Sequence, residues 1–181
     1  MKEFELIKLA KEAIASEFSG KKIRIPEYKE LKEKRGCFVT LKKNGELRGC
    51  IGFPYPSMPL GEAIILAAKS AAFSDPRFPP LSEKEFIEIK VEISILTLPE
   101  KIEVKLENIE IGKDGLMCEY EGFGGLLLPQ VATEQGWNEE QFLRALCQKS
   151  GLPLNSWQKQ DFKLWKFQAK IINEEEALKE K

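Results

Sequence analysis

The spacing of apolar and polar positions divides the chain into helices and strands in mixed order. Residues 3–18 carry apolar side chains at intervals of three and four, which predicts an amphipathic helix ended by Gly20. Residues 59–74 predict a second helix, which is rich in alanine and isoleucine and is therefore expected to be deeply buried. Residues 86–96 alternate between apolar and polar side chains, which predicts an antiparallel strand with one exposed face.

Asn44 and Gly45 separate two apolar runs, and this pair predicts a tight type I′ hairpin. With a loop of only these two residues, Val39 pairs with Cys50. Strand alternation then places one set of side chains together on one face of the hairpin: Cys37, Val39, Leu41, Arg48 and Cys50. The opposite face carries Phe38, Thr40, Leu47 and Ile51.

Helix signals in the second half of the chain are local and well defined. Pro129 begins a short helix that Gly136 ends. Residues 139–150 predict a longer helix, with Asn138 as its N-cap and Gln141 as the capping-box partner.

The strands of the second half alternate with turns rather than with long helices. Asp114–Gly115 predicts a second hairpin turn, and residues 162–172 predict a central strand that is apolar on both faces. Because no βαβ order repeats, the pattern predicts an α+β fold with a mainly antiparallel sheet and helices packed on it. We predict one domain over residues 1–173, with a lobe boundary near 97–101 and a charged tail at 174–181.

Composition excludes several classes of function. The chain has 28 Lys and Arg against 29 Asp and Glu, and this near-neutral balance argues against a partner such as duplex DNA, which requires a basic face, while leaving local basic patches open. No apolar run approaches the roughly 20 residues of a membrane span, and the N-terminus lacks a secretory leader. We therefore expect a cytoplasmic protein whose partners include neither nucleic acid nor a membrane.

The chain contains no histidine, and its four cysteines are scattered. These facts argue against a zinc site, a Ser-His-Asp triad and a Cys-His pair. A general base must then be Asp, Glu, Lys, Tyr or a deprotonated Cys. We predict no metal site and no cofactor, and free thiols rather than disulfides.

Cys50 is the candidate nucleophile, because glycines and an arginine surround it. Arg48 precedes it by two residues, and a nearby guanidinium favours the reactive thiolate form. Gly49 and Gly52 would allow a ligand or another strand to approach the backbone closely, with Ile51 between Cys50 and Gly52. The alternative is a cysteine that fills a core as a small apolar side chain, and the residues alone favour that alternative.

Asp75 and Arg77 form a second candidate cluster, held rigidly by Pro76. One interpretation is an arginine that binds an anion at the rim of a pocket, and the other is a purely structural Asp75–Arg77 turn. For thiol chemistry, a carboxylate such as Glu46 or Glu92 would have to act as the base.

Four blocks of the sequence resemble the AMMECR domain family in order and spacing. They are RGCFVTLKKNGELRGCIGFP, AAFSDPRFPPLSEKE, VEISILTLPE and GLLLPQVATEQGW, within a match over residues 3–172. The family's signature matches Leu47, Arg48, Gly49, Cys50, Ile51 and Gly52, and a second block matches Asp75, Pro76 and Arg77. The resemblance implies a two-lobed cytosolic α+β protein with a cleft between the lobes. It also implies a family without an established biochemical activity, associated with MEMO-type and radical-SAM-type proteins.

Two hypotheses follow for the function. In the first, Cys50 and Arg48 are the catalytic groups of a cleft that binds a small anionic molecule. Its ligand-binding residues would be Gly49, Ile51, Gly52, Asp75 and Arg77. In the second, the Arg48–Gly52 segment is a non-catalytic surface that recognises a partner protein.

Overall fold

The computed structural model describes residues 2–179, which divide into two units. The first unit comprises the chain up to Leu96 and from Lys170 onward, and the second comprises Thr97–Ala169. Each has its own hydrophobic core. The two sheets have four strands each and mainly antiparallel pairing, which confirms the predicted α+β class.

The helices and strands are numbered here in chain order. The helices are α1 Glu3–Ser19, α2 Lys29–Lys32, α3 Leu60–Phe73, α4 Glu83–Phe86, α5 Pro129–Gln135, α6 Glu139–Lys149 and α7 Glu174–Lys179. The strands are β1 Cys37–Lys43, β2 Glu46–Phe53, β3 Ile89–Leu96, β4 Glu100–Ile102, β5 Gly115–Tyr120, β6 Phe123–Leu127, β7 Lys163–Phe167 and β8 Ala169–Asn173. Two short 3₁₀ turns occur at Leu106–Asn108 and Ser156–Gln158.

The core of the first unit lies between one face of its sheet and the helices α1 and α3. The strand order is β2-β1-β3-β8, which leaves β2 at an edge. The apolar periodicity of residues 3–18 is confirmed as α1, and Gly20 ends the helix in the left-handed conformation with φ 68°. The predicted second helix is α3, and its alanines are buried as expected.

The first hairpin turns at Asn44 and Gly45, as predicted, with φ values of 52° and 83°. The predicted register holds only as far as Lys42, which pairs with Leu47. A β-bulge then follows, with Arg48 as the extra residue.

The bulge shifts every later pair by one residue, so the predicted pairing of Val39 with Cys50 is wrong. Cys50 pairs with Thr40, and Val39 pairs with Ile51. Side chains alternate across a strand, so Cys50 faces away from the core while Ile51 packs against it. The expectation that Cys37 and Cys50 share a face is also wrong, because Cys37 is fully buried on the core side.

The two glycines beside Cys50 are required by packing. A Cβ atom at Gly49 would lie 2.1 Å from the carbonyl oxygen of Ala71 in α3, so this glycine lets the helix reach the sheet. A Cβ atom at Gly52 would lie 2.3 Å from the ring of Phe38. The sequence left open a ligand or another strand at these glycines, and the structure shows the helix α3 at Gly49 and the Phe38 ring of β1 at Gly52.

The third strand begins at Ile89 rather than at residue 86. Ser82 and Glu85 form a capping box that starts the short helix α4 instead. Ile87, which the alternating pattern of residues 86–96 places on the apolar face, is 83% exposed in the turn that follows the helix. The capping signal therefore outweighs the alternating pattern at this point.

The second unit has the strand order β4-β7-β5-β6. Its tight hairpin turns at Glu121–Gly122, with φ values of 49° and 82°, and not at Asp114–Gly115. Asp114 is buried and accepts a hydrogen bond from the Glu110 N–H at 3.0 Å. The Asp-Gly pair therefore ends a loop before β5 and does not form a hairpin turn.

The predicted strand over residues 162–172 is two strands that meet at Gln168. The first, β7, is central in the second sheet, whereas β8 lies at an edge of the first sheet. The predicted helices after Pro129 and Asn138 are confirmed, with the Asn138–Gln141 capping box in place. The charged tail forms α7 as far as Lys179, and the last two residues lie outside the described range.

Candidate thiol site on the edge strand

Cys50 is the only one of the four cysteines that is not buried, and all four are free. Burial raises the pKa of the Cys37 thiol to about 12. Burial also raises the pKa values of Cys118 and Cys147. A thiol that reacts at neutral pH must lose its proton and must be accessible to the reagent. Burial works against both requirements in these three cysteines.

Cys50 lies on the edge strand β2, and its backbone N–H and C=O point away from β1 toward side chains of the loop after α3. The carboxylate of Asp75 accepts a hydrogen bond from the Cys50 N–H at 2.9 Å. Nη2 of Arg77 donates to the Cys50 carbonyl oxygen at 3.2 Å. The Asp75–Arg77 pair thus occupies the place of a further strand and holds the backbone of Cys50 in position.

Asp75 and Arg77 also hold each other. Nε of Arg77 lies 3.0 Å from Oδ1 of Asp75, and Nη2 lies 2.8 Å from Oδ2. Hydrogen bonding to Arg77 holds the pKa of Asp75 far below its usual range. Asp75 is almost fully buried, whereas the Arg77 side chain is 53% exposed. The pair is therefore a structural turn that also presents a guanidinium group at the surface beside Cys50.

The Arg48 side chain bonds to Glu85 and Pro79 rather than to the thiol of Cys50. Its Nε and Nη2 atoms each lie 3.2 Å from an oxygen of Glu85, and Nη2 also donates to the Pro79 carbonyl at 2.9 Å. Hydrogen bonding to Arg48 lowers the pKa of Glu85 to about 2. This ion pair between the buried Arg48 and the partly exposed Glu85 joins the bulge to α4, which is a structural role rather than activation of Cys50.

Phe78 lies between the two arginines. Its ring centroid is 5.8 Å from the guanidinium carbon of Arg48 and 5.6 Å from that of Arg77. Sequence reasoning missed Phe78 and Glu85. The Ser82-x-x-Glu85 capping box was a usable signal for Glu85, but nothing local pointed to Phe78.

The thiol itself contacts Thr40, which sequence reasoning placed on the opposite face. Oγ1 of Thr40 donates a hydrogen bond to Sγ of Cys50 at 3.1 Å. Glu92 lies directly across from Thr40 on the next strand. Cys50, Thr40 and Glu92 therefore form a row across three strands, about 10 Å long, on the sheet face opposite the core. Glu46, the other carboxylate considered, pairs with Lys43 beside the hairpin turn.

A pocket of about 220 Å³ begins at the Glu92 end of this row. Nζ of Lys42 lies 2.9 Å from the Glu92 carboxylate at its wall. Within residues 2–179, no cluster of three or more Cys, Asp and Glu side chains is arranged to hold a metal ion.

Of the seven residues predicted to form the site, three are directly joined: Cys50, Asp75 and Arg77. Arg48 is paired with Glu85 instead. The other three have packing roles, since Gly49 faces α3, Ile51 faces the core and Gly52 lies under Phe38.

Comparison with known proteins identifies a family and close relatives. The AMMECR1 family model matches residues 7–172. Protein MJ0810 of Methanocaldococcus jannaschii is 50% identical over 94% of this chain and 89% of its own length. Protein MK0488 of Methanopyrus kandleri is 50% identical over 94% of this chain and 87% of its own.

A solved structure shares the fold. The crystal structure of the uncharacterised protein PH0010 from Pyrococcus horikoshii is 45% identical and superposes with a TM-score of 0.80. The alignment covers 94% of this chain and 91% of that one. Among the described helices, none is long and apolar enough to cross a membrane.

Proposed function

This chain belongs to the AMMECR1 family, and from the geometry of its first sheet we propose that it binds a small anionic molecule beside Cys50 and that the Cys50 thiolate reacts with it. The observation that carries the proposal is that Cys50, alone among the four cysteines, is not buried, and that the half-exposed side chain of Arg77 bonds to its backbone. Arg77 can bind an anionic group because its side chain is 53% exposed while it pairs with Asp75.

The hydroxyl of Thr40 supports the same proposal. It donates a hydrogen bond to Sγ of Cys50, which orients the thiol side chain on the sheet face opposite the core. The proton leaves to water, since Glu92 lies two strands away and beyond direct reach of the thiol. In the reaction class that fits, the thiolate forms an S–C bond to an electrophilic carbon, and a leaving group departs with its bonding electrons.

Alkylation by two reagents that differ in charge tests both parts of the proposal. Iodoacetate is anionic and iodoacetamide is neutral, and both alkylate a thiolate with release of iodide. We expect Cys50 to be modified before Cys37, Cys118 and Cys147 in the folded protein. We also expect the rate ratio of iodoacetate to iodoacetamide at Cys50 to exceed that of a cysteine peptide by about tenfold, the effect of one charge-assisted hydrogen bond.

Substitution of Arg77 provides the decisive comparison. Arg77→Gln should lower the rate ratio to that of the peptide, while Arg77→Lys, which keeps the charge, should retain part of it. Arg144→Gln is the matched control, because Arg144 is an exposed arginine of the second unit. Equal labelling of all four cysteines, or an unchanged rate ratio in Arg77→Gln, would refute the proposal.

A second candidate function is a surface for a partner protein. Two large apolar side chains, Leu47 at 43% and Tyr55 at 50%, are exposed in and just after the edge strand that carries Cys50. MEMO-type and radical-SAM-type proteins are the first partners to test by co-purification. Cys50→Ser should preserve such an association, whereas it should abolish thiol chemistry.

The chemistry of Cys50 also bears on location. A partly exposed free thiol persists in a reducing compartment, so we propose that the protein acts in the cytoplasm. Cell fractionation with an antibody against the protein tests this, and recovery outside the cytoplasm would contradict it.

A further inference from the structure

The 220 Å³ pocket of the first unit is lined by both lysine and glutamate side chains. It lies where the turn of the first hairpin, the strand β3 and the end of β8 meet. Its lining residues are Lys42, Gly45, Lys90, Val91, Glu92, Asn173, Glu174 and Glu175. Drug-sized ligands fill cavities of about 300–1,000 Å³, so this pocket suits a smaller molecule.

Two lysines of the pocket lie directly opposite each other. Lys42 on β1 pairs with Lys90 on β3, so both side chains leave the same face of the sheet. Like charges in this position destabilise a sheet unless a counter-charge is present. Glu92 supplies one counter-charge, but its ion pair at 2.9 Å is with Lys42. Within residues 2–179, Lys90 has no ion pair of its own.

The acidic residues of the pocket are likewise only partly engaged. Glu174 is buried and accepts hydrogen bonds from Nζ of Lys11 and from the Val91 N–H. Glu175, by contrast, is exposed and has no ion pair or side-chain hydrogen bond to any residue in the range 2–179. Lys90 is also exposed and has no ion pair or side-chain hydrogen bond within the same range. One free cation and one free anion therefore line the same small pocket.

We propose that this pocket binds a small zwitterion of the α-amino acid class. Its carboxylate would pair with Lys90 and its ammonium group with Glu175. A simple anion would meet the uncompensated charge of Glu175, and a simple amine would meet that of Lys90, whereas a zwitterion satisfies both. The Asn173 side-chain oxygen is already engaged by the Glu176 N–H, so the two charged side chains carry the recognition.

The proposal is independent of the reactivity of Cys50. The pocket lies at the Glu92 end of the row, and Cys50 lies at the other end. Within residues 2–179, none of the residues that line the pocket forms a hydrogen bond with Cys50. Cys50→Ser should therefore leave amino acid binding unchanged. The two proposals can fail separately.

Titration of ¹⁵N-labelled full-length protein with the L-α-amino acids, one at a time, tests the proposal. We expect at least one to produce saturable shifts in the amide signals of Gly45, Val91 and Asn173. The matching carboxylic acid without the amine, and the matching amine without the carboxylate, should each bind at least about tenfold more weakly.

Paired variants locate the site. Lys90→Gln and Glu175→Gln should each weaken binding by about tenfold. Lys84→Gln and Glu176→Gln are the matched controls, since both residues are exposed and lie outside the pocket. Absence of shifts with every amino acid, equal binding of a singly charged analogue, or unaltered binding by both pocket variants would overturn the proposal.

Discussion

The carboxylate of Asp75 accepts the backbone N–H of Cys50 at 2.9 Å while its other oxygen accepts the backbone N–H of Arg77 at 3.1 Å. One buried side chain thus joins the edge of a sheet to the loop after α3. The contact explains how the Asp75-Pro76-Arg77 segment, which is distant from Cys50 in sequence, holds the backbone of Cys50 in position. Four predictions follow from this site and from the hairpin that carries it.

Asp75→Ala should lower the free energy of unfolding by about 2–4 kcal/mol, because it removes charge-assisted hydrogen bonds and leaves the Cys50 N–H unpaired at the edge. Chemical denaturation at neutral pH measures this. Asp161→Ala is the control, since Asp161 is exposed and has no ion pair within the described chain. Equal stability of the two variants would show that the Asp75 contacts contribute little.

Stability should fall as pH falls from about 4.5 to about 2. The pKa of Glu85 is lowered from 4.5 to about 2 by Arg48, and that of Asp75 is lowered by Arg77. Groups with depressed pKa values stabilise the folded state above their unfolded pKa and lose that effect as pH drops through the folded pKa. Denaturation midpoints across this range measure the loss. Glu85→Gln should show a shallower dependence, and a parallel curve would contradict the assignment.

Gly49→Ala should destabilise the protein by about 1–3 kcal/mol through overpacking, because its Cβ would lie 2.1 Å from the Ala71 carbonyl. Gly45→Asn in the same hairpin is the control, since Gly45 has open space around it and asparagine tolerates positive φ. Thermal denaturation compares the two. A smaller loss in Gly49→Ala than in Gly45→Asn would mean that α3 can move away from β2.

Thr40→Val should slow alkylation of Cys50 by about fivefold at neutral pH, because the sulfur loses the hydrogen bond that orients it. Thr40→Ser keeps the hydroxyl and should react at nearly the wild-type rate. Timed labelling followed by peptide mass spectrometry gives both rates. Similar rates for the valine and serine variants would remove Thr40 from the site.

Local sequence determined the parts of this fold that depend on a few neighbouring residues. Asn44–Gly45 determined the hairpin turn, since both positions require positive φ. Asn138 with Gln141 determined the start of α6, because a cap satisfies backbone groups within one helical turn. The periodic apolar positions of α1 and α3 likewise identified the buried helices.

Tertiary structure decided the register beyond Lys42 and with it the surroundings of the thiol. The bulge at Arg48 coincides with the Arg48–Glu85 pair and with the close approach of α3 at Gly49, contacts between segments far apart in sequence. A one-residue shift reverses the face of every later side chain. Alternation along the chain could therefore locate Cys50 on a strand but could not determine its face, since that choice depends on which long-range contacts the folded chain makes.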